Sequence, residues 1–92
     1  MPVAKRSKVD IYHDVLVLLW QECAKYGKAS PTRVASRANL SYVRFQKVLE
    51  HFLELAMVKK TDDGILLTEK GLKSLRQLRK ANAMLERLGL DF

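Results

Sequence analysis

Apolar residues recur at helical spacing in several stretches of the chain and in strand-like runs in two others, and the residues between them set the order of elements. From Val9 to Tyr26, the side chains of Tyr12, Val15, Leu16, Leu19, Cys23 and Tyr26 make one helical face, and Gly27 ends the helix. Ile11, Val17, Leu18 and Trp20 spill round its side. So wide an apolar girth asks for more than one neighbour. Trp20 serves either as core or as the anchor of a contact with a second subunit. Ser30 as N-cap and Pro31 at the first helical position start a short helix that runs to Arg37. Ala38-Asn39-Leu40 supplies a turn, with Asn39 able to take the left-handed conformation, and Ser41 caps the next helix. There Phe45, Val48, Leu49, Phe52 and Leu53 form one stripe. Ser30 to Leu55 thus reads as a helix-turn-helix, and the rest of the chain is organised around it.

Lys28-Ala29 has room for a short strand before this unit. After it, Met57 to Thr61 and Ile65 to Thr68 are strand-like runs joined through Asp62-Asp63-Gly64, and Asp-Gly between such runs signals a hairpin. A hairpin in that place is a wing, with Lys59 and Lys60 on opposite faces. Thr68 caps a last helix from Glu69, on which Leu75, Leu78, Asn82 and Leu85 alternate in steps of three and four, with Leu72 and Leu88 extending the pattern. About 20 residues span roughly 30 Å, more than the domain core can cover. The seam therefore predicts a two-helix coiled coil between two chains, parallel or antiparallel, with Asn82 fixing register. The predicted fold class is mostly α with a small β-hairpin: a winged helix-turn-helix plus a long C-terminal dimerisation helix. Residues 1–8 form a basic arm, 9–70 the winged-helix domain and 69–92 the dimerisation helix.

The 92 residues carry a formal charge of +7 and a sequence pI near 9.8, which favours a polyanionic partner, nucleic acid first and an anionic membrane surface second. The bland counterpart is a basic surface that is merely solvated. Cys23 stands alone, so neither an intrachain disulfide nor a cysteine-based zinc site is expected, and it is read as a small buried hydrophobe. Met1 to Lys8 is basic, but the apolar run after it is broken by Asp10, His13 and Asp14, so no secretory leader is expected. Val15 to Trp20 is too short to span a bilayer. The expected location is the cytoplasm, in association with the nucleoid. His13 and His51 lack further ligands at metal-binding spacing, and Asp10 and Asp14 one turn apart read as a solvated face. With no phosphate-cradling glycine loop either, neither an enzyme nor a cofactor is expected.

The off-stripe residues at the start of the second helix of the unit are the candidate chemistry. Ser41, Tyr42, Arg44, Gln46 and Lys47 make the base-reading set, with Arg44 suited to the O6 and N7 of guanine and Gln46 to adenine or a phosphate. Lys28, Thr32, Arg33, Lys59 and Lys60 are candidate DNA-backbone contacts, joined by Lys47. Arg37 has equal claims to a phosphate and to an internal ion pair. Lys5, Arg6 and Lys8 in the arm reach a phosphate or minor groove, or form a solvated tail. Leu75, Leu78, Asn82, Leu85, Leu88 and Trp20 are the candidate dimer interface. The function expected is double-stranded DNA binding by a homodimeric transcriptional regulator. The alternatives are an architectural chromatin protein that coats DNA, or a winged-helix interaction module that binds no DNA. Single-stranded RNA recognition lacks its aromatic platform, since Phe45 and Phe52 belong to the core.

Asp10-Ile11-Tyr12-His13-Asp14-Val15-Leu16, Thr32-Arg33-Val34, Ala38-Asn39-Leu40-Ser41-Tyr42, Val48-Leu49-Glu50 and Leu67-Thr68-Glu69-Lys70-Gly71 together resemble small archaeal winged-helix DNA-binding proteins. These are predicted transcriptional regulators, and the chain is also similar to the dimeric winged-helix chromatin proteins of Sulfolobus. The resemblance covers about residues 9 to 80. It implies a homodimer joined through antiparallel terminal helices and a duplex DNA partner. Three positions depart from it. Ala56 replaces the usual glycine after the recognition helix, so a differently built turn is expected there. Val43 stands where a basic or polar residue is common, and either meets a thymine methyl or lies exposed. Asp62 and Asp63 make the wing less cationic, which tilts the expectation toward a site-specific regulator.

Overall fold

A computed structural model describes residues 7–89. The elements follow in the order α1 (Lys8–Tyr26), α2 (Pro31–Arg37), α3 (Tyr42–Glu54), β1 (Val58–Thr61), β2 (Gly64–Leu67) and α4 (Glu69–Arg87). Helix α1 begins one residue earlier than the periodicity suggests, because Ser7 and Asp10 close a capping box. The Asp10 amide donates to Ser7 Oγ and the Ser7 amide to Asp10 Oδ2, both at 3.1 Å. Lys8 is therefore a helical residue, not part of an arm. Asp10 is exposed, as a solvated face requires, and is also the capping group. Lys5 and Arg6 lie outside the described residues.

Helices α2 and α3 both end in the same way. Asn39 and Ala56 have φ of 57° and 58°, the left-handed region. After α2 the Leu40 amide reaches back to the Ala35 carbonyl and Asn39 to Ser36, each at 3.0 Å. After α3 the Met57 amide reaches Phe52 at 2.9 Å and Ala56 reaches Leu53 at 3.1 Å. Both are Schellman closures, made without glycine. The turn expected to differ at Ala56 thus keeps the left-handed conformation and carries the Cβ penalty. Thr68 ties the start of α4 to this corner. Its hydroxyl donates to the Ala56 carbonyl at 2.7 Å and accepts from the Gly71 amide at 3.1 Å. Gly71 is obligatory here, since a Cβ would run into the Met57 carbonyl.

Strands β1 and β2 pair antiparallel from Val58↔Leu67 to Thr61↔Gly64, so the tip is Asp62-Asp63. Gly64, expected in the turn with Asp63, instead opens β2. Ala29 adds a bridge to the hairpin, its amide donating to the Ile65 carbonyl at 2.8 Å and its carbonyl accepting from the Ile65 amide at 2.9 Å. A Cβ on Gly64 would stand 2.6 Å from the Ala29 carbonyl oxygen, which explains the glycine. The short strand expected at Lys28-Ala29 is this single bridge.

The core gathers Phe45, Leu49 and Phe52 of α3 against Val15, Leu16 and Leu19 of α1, and is closed by Val34, Val58, Ile65 and Leu75. Leu75 is only 2 % exposed within one chain, so it is spent on the domain itself and leaves the proposed intersubunit seam. Beyond Leu78, which is half-buried, every described residue of α4 is exposed. Met84 at 62 % and Leu88 at 64 % stand in solvent with Leu85. Cys23 is half-buried and its thiol lies 3.5 Å from the Ile65 carbonyl. Among the described residues no helix is long and apolar enough to cross a membrane.

Candidate nucleic-acid interface

The side of α3 away from the core is built by subtraction. Phe45, Val48, Leu49 and Phe52 turn inward, so at 100° per residue Val43 and Lys47 fall in the middle of the outward face. Arg44 lies on one flank and Tyr42 with Gln46 on the other. Ser41 holds the first turn open, its hydroxyl accepting from the Arg44 amide at 3.2 Å. Ser41, Tyr42, Arg44 and Lys47 are exposed and Gln46 is half-buried, so the five residues of the expected reading set share one accessible helix end. Val43, one of the three departures from the resemblance, is 67 % exposed in the middle of this face. Tyr42 leans on the core through Phe45, ring centroids 6.4 Å apart, and remains exposed. No acid occurs before Glu50, so the positive end of the helix dipole and two cations reinforce each other here.

Helix α2 is oriented by a residue the sequence pattern did not single out. Glu22 of α1 is 1 % exposed, and its carboxylate is shared among three donors. Arg33 Nε donates to Oε1 at 2.9 Å, Arg37 Nη1 to Oε2 at 3.4 Å, and the Ser30 amide to Oε1 at 3.3 Å. Burial works against ionisation, but the Arg33 hydrogen bond, the Ser30 amide and Arg37 together outweigh it and hold the carboxyl below its ordinary value. The hydrogen bond to Glu22 in turn raises the Arg33 guanidinium above its ordinary value. Arg33 also lies over the Tyr26 ring, 4.5 Å from its centroid, and Arg37 Nη2 donates to Gln21 at 2.9 Å. Of the two roles weighed for Arg37, the ion pair is formed within the chain. Both arginines remain nearly half exposed, 48 % and 45 %, so their outer edges still face solvent. A signal for this existed in the sequence. One acid falls inside the apolar face of α1, and two arginines one turn apart follow on the next helix.

The remaining expected contacts fall around the same unit. Thr32 is exposed at the start of α2, its hydroxyl 3.2 Å from that of Ser30. Lys28 precedes the Ala29 bridge and so lies beside the wing, where Lys59 and Lys60 are both exposed. Lys60 pairs with Ile65, the residue Ala29 bridges from the other side. Asp62 and Asp63 are exposed at the wing tip. His13 and His51 are on different helices, and His51 meets Tyr12 edge-on at 5.5 Å. Among the described residues no group of three or more His, Cys, Asp or Glu side chains is placed to hold a metal ion.

Comparison with solved structures finds a similar chain in the crystal structure of a hypothetical protein from Sulfolobus solfataricus. The TM-score is 0.73 and the sequence identity 24 %, over 86 % of this chain and 64 % of that one. At that identity the likeness is one of fold. This chain spans about 64 % of that protein's length. No curated protein matches the sequence. The winged helix-turn-helix family matches residues 5–86, which takes in every element except the last residue of α4. A match over that much of the sequence, on a chain whose helix-turn-helix and hairpin have just been traced residue by residue, makes this protein a member of the winged helix-turn-helix family.

Proposed function

We propose that this protein binds double-stranded DNA as a homodimer and acts as a transcriptional regulator in the cytoplasm, at the nucleoid. The observation that carries this is the exposed, acid-free first half of α3, with cations on the neighbouring α2 and wing. A helix of this polarity suits the major groove, where Arg44, Gln46 and Lys47 meet base edges and Val43 a thymine methyl. Ser41 and Tyr42 complete the reading set. Lys28, Thr32, Lys59, Lys60 and the outer edges of Arg33 and Arg37 hold phosphates. Lys5, Arg6 and Lys8 are a further source of backbone contacts.

Leu78, Asn82, Leu85 and Leu88 are proposed to meet their copies in a partner chain, with Trp20, 40 % exposed, at the edge of the contact. Support comes from the exposed apolar residues at the end of α4 and from the resemblance to archaeal dimers. An interaction module without DNA would have no use for Arg44 and Lys47, the exposed cations at the open end of α3. A DNA-coating protein would gain from a cationic wing tip, whereas this one ends in two aspartates. A gel shift with mixed-sequence duplex at low salt tests the proposal. A retarded band that fades as salt rises is expected. No band at any protein concentration would leave the interaction module as the better account.

A further inference from the structure

The solvent face of α4 has a charge pattern that neither the recognition helix nor the dimer contact uses. At 100° per residue, Lys73, Arg76, Lys80 and Arg87 fall within about 60° of one another. That stripe lies opposite Gly71, Leu75 and Leu78, the side α4 turns to the core. All four cations are exposed, and Lys73, Arg76, Arg79 and Lys80 line one shallow surface groove with Gln77 and Ala83. Such a face is ordinarily solvated and laced with acids at i±3 or i±4, which stabilise the helix. Here the sequence does the reverse. Arg76 has Lys73, Arg79 and Lys80 as its neighbours at those spacings, and neither it nor Lys80 has an acid there. The like charges oppose helix formation unless an anion lies against them.

We infer that this face of α4 is a second surface for the phosphates of duplex DNA, separate from the one on α3. The inference rests on the duplex-binding reading above. The two surfaces are distinct because α4 lies near the far end of α3, where Phe52 and the C-cap Leu55 line one pocket with Ser74, Gln77 and Leu78. Leu55 is roughly 16 Å along the helix from Arg44. The stripe also survives dimerisation, since Leu78 and Leu85 lie on the far side of α4. One protein bound through α3 thus presents α4 to a neighbouring segment of duplex. The contact is made to phosphates alone and carries no sequence preference.

The test is the salt dependence of binding to a mixed-sequence duplex, read by fluorescence anisotropy. The wild type is compared with Arg76→Gln/Lys80→Gln and with Lys25→Gln/Lys70→Gln, which removes the same charge elsewhere. Circular dichroism confirms that each variant is folded. The stripe variant should lower the slope of log K against log salt by about 2, and the control by much less, because each lost phosphate contact is worth roughly 0.9 of slope. Equal changes in the two variants would reduce the stripe to net charge and overturn the inference while leaving the α3 reading intact. No binding by the wild type would overturn both.

Discussion

Burying a carboxylate costs several kcal/mol unless its charge is matched, and Glu22 is matched by Arg33, Arg37 and the Ser30 amide. The same three donors fix where α2 begins and how it lies on α1. Glu22→Gln should therefore lower stability at pH 7 by about 1.5–3 kcal/mol in urea unfolding, the worth of a hydrogen bond to a charged group. Because the folded carboxyl titrates below its ordinary value, its contribution is present above the unfolded pKa, about 4.3, and is lost as pH falls through the folded value. The gap between wild type and variant should close with acid. A gap that persisted at low pH would mean the charge is not what stabilises. Ala56 is the other residue with a definite sign. Its left-handed φ of 58° is strained for alanine, so Ala56→Gly should stabilise by about 0.5–1 kcal/mol after the entropy glycine adds to the unfolded chain. A shift of the urea midpoint in the other direction would show that the Cβ is needed there. Neither residue was singled out by the apolar pattern, although an acid within it and two arginines one turn apart were the signal for the Glu22 cluster. Glu22 hides inside an apolar stripe, and alanine gives no hint of a positive φ.

Among the elements, those set by caps and periodicity were legible within a residue or two. Ser30, Ser41 and Thr68 cap as their side chains dictate, each accepting from the backbone amide three residues on. The wing was legible as a hairpin but not in its tip, because Gly64 answers to the close approach of Ala29, a contact distant in sequence. The same limit applies to α4. A heptad repeat puts Leu75 and Leu85 on one seam, yet the first is buried by its own domain and the second is 44 % exposed. Leu85→Asp with Leu88→Asp is therefore the cleaner probe of association than a change at the half-buried Leu78. Sedimentation equilibrium should show a dimeric wild type and a monomeric, folded variant. A wild type that is monomeric would remove the dimer from the proposal. Phe52→Ala, by contrast, should cost about 3–5 kcal/mol and lower stability whatever the oligomeric state.

For the whole molecule, the charge of +7 is not spread evenly. It collects where α3 begins, beside the wing and along α4, while acids hold the capping box, the Glu22 cluster and the wing tip. Such a distribution steers a polyanion toward these surfaces before any base is read. At a preferred site, Arg44→Ala should cost about 1–3 kcal/mol and relax preference at one base position. An equal loss on every sequence would make Arg44 a phosphate contact. The central claim, that the open end of α3 faces the duplex, is tested most directly by amide chemical-shift mapping of the isotopically labelled protein during titration with a short duplex. The largest changes are expected from Ser41 to Lys47, with smaller ones at Lys28, Thr32, Lys59 and Lys60. Saturable binding that left the amides from Ser41 to Lys47 unmoved would contradict it.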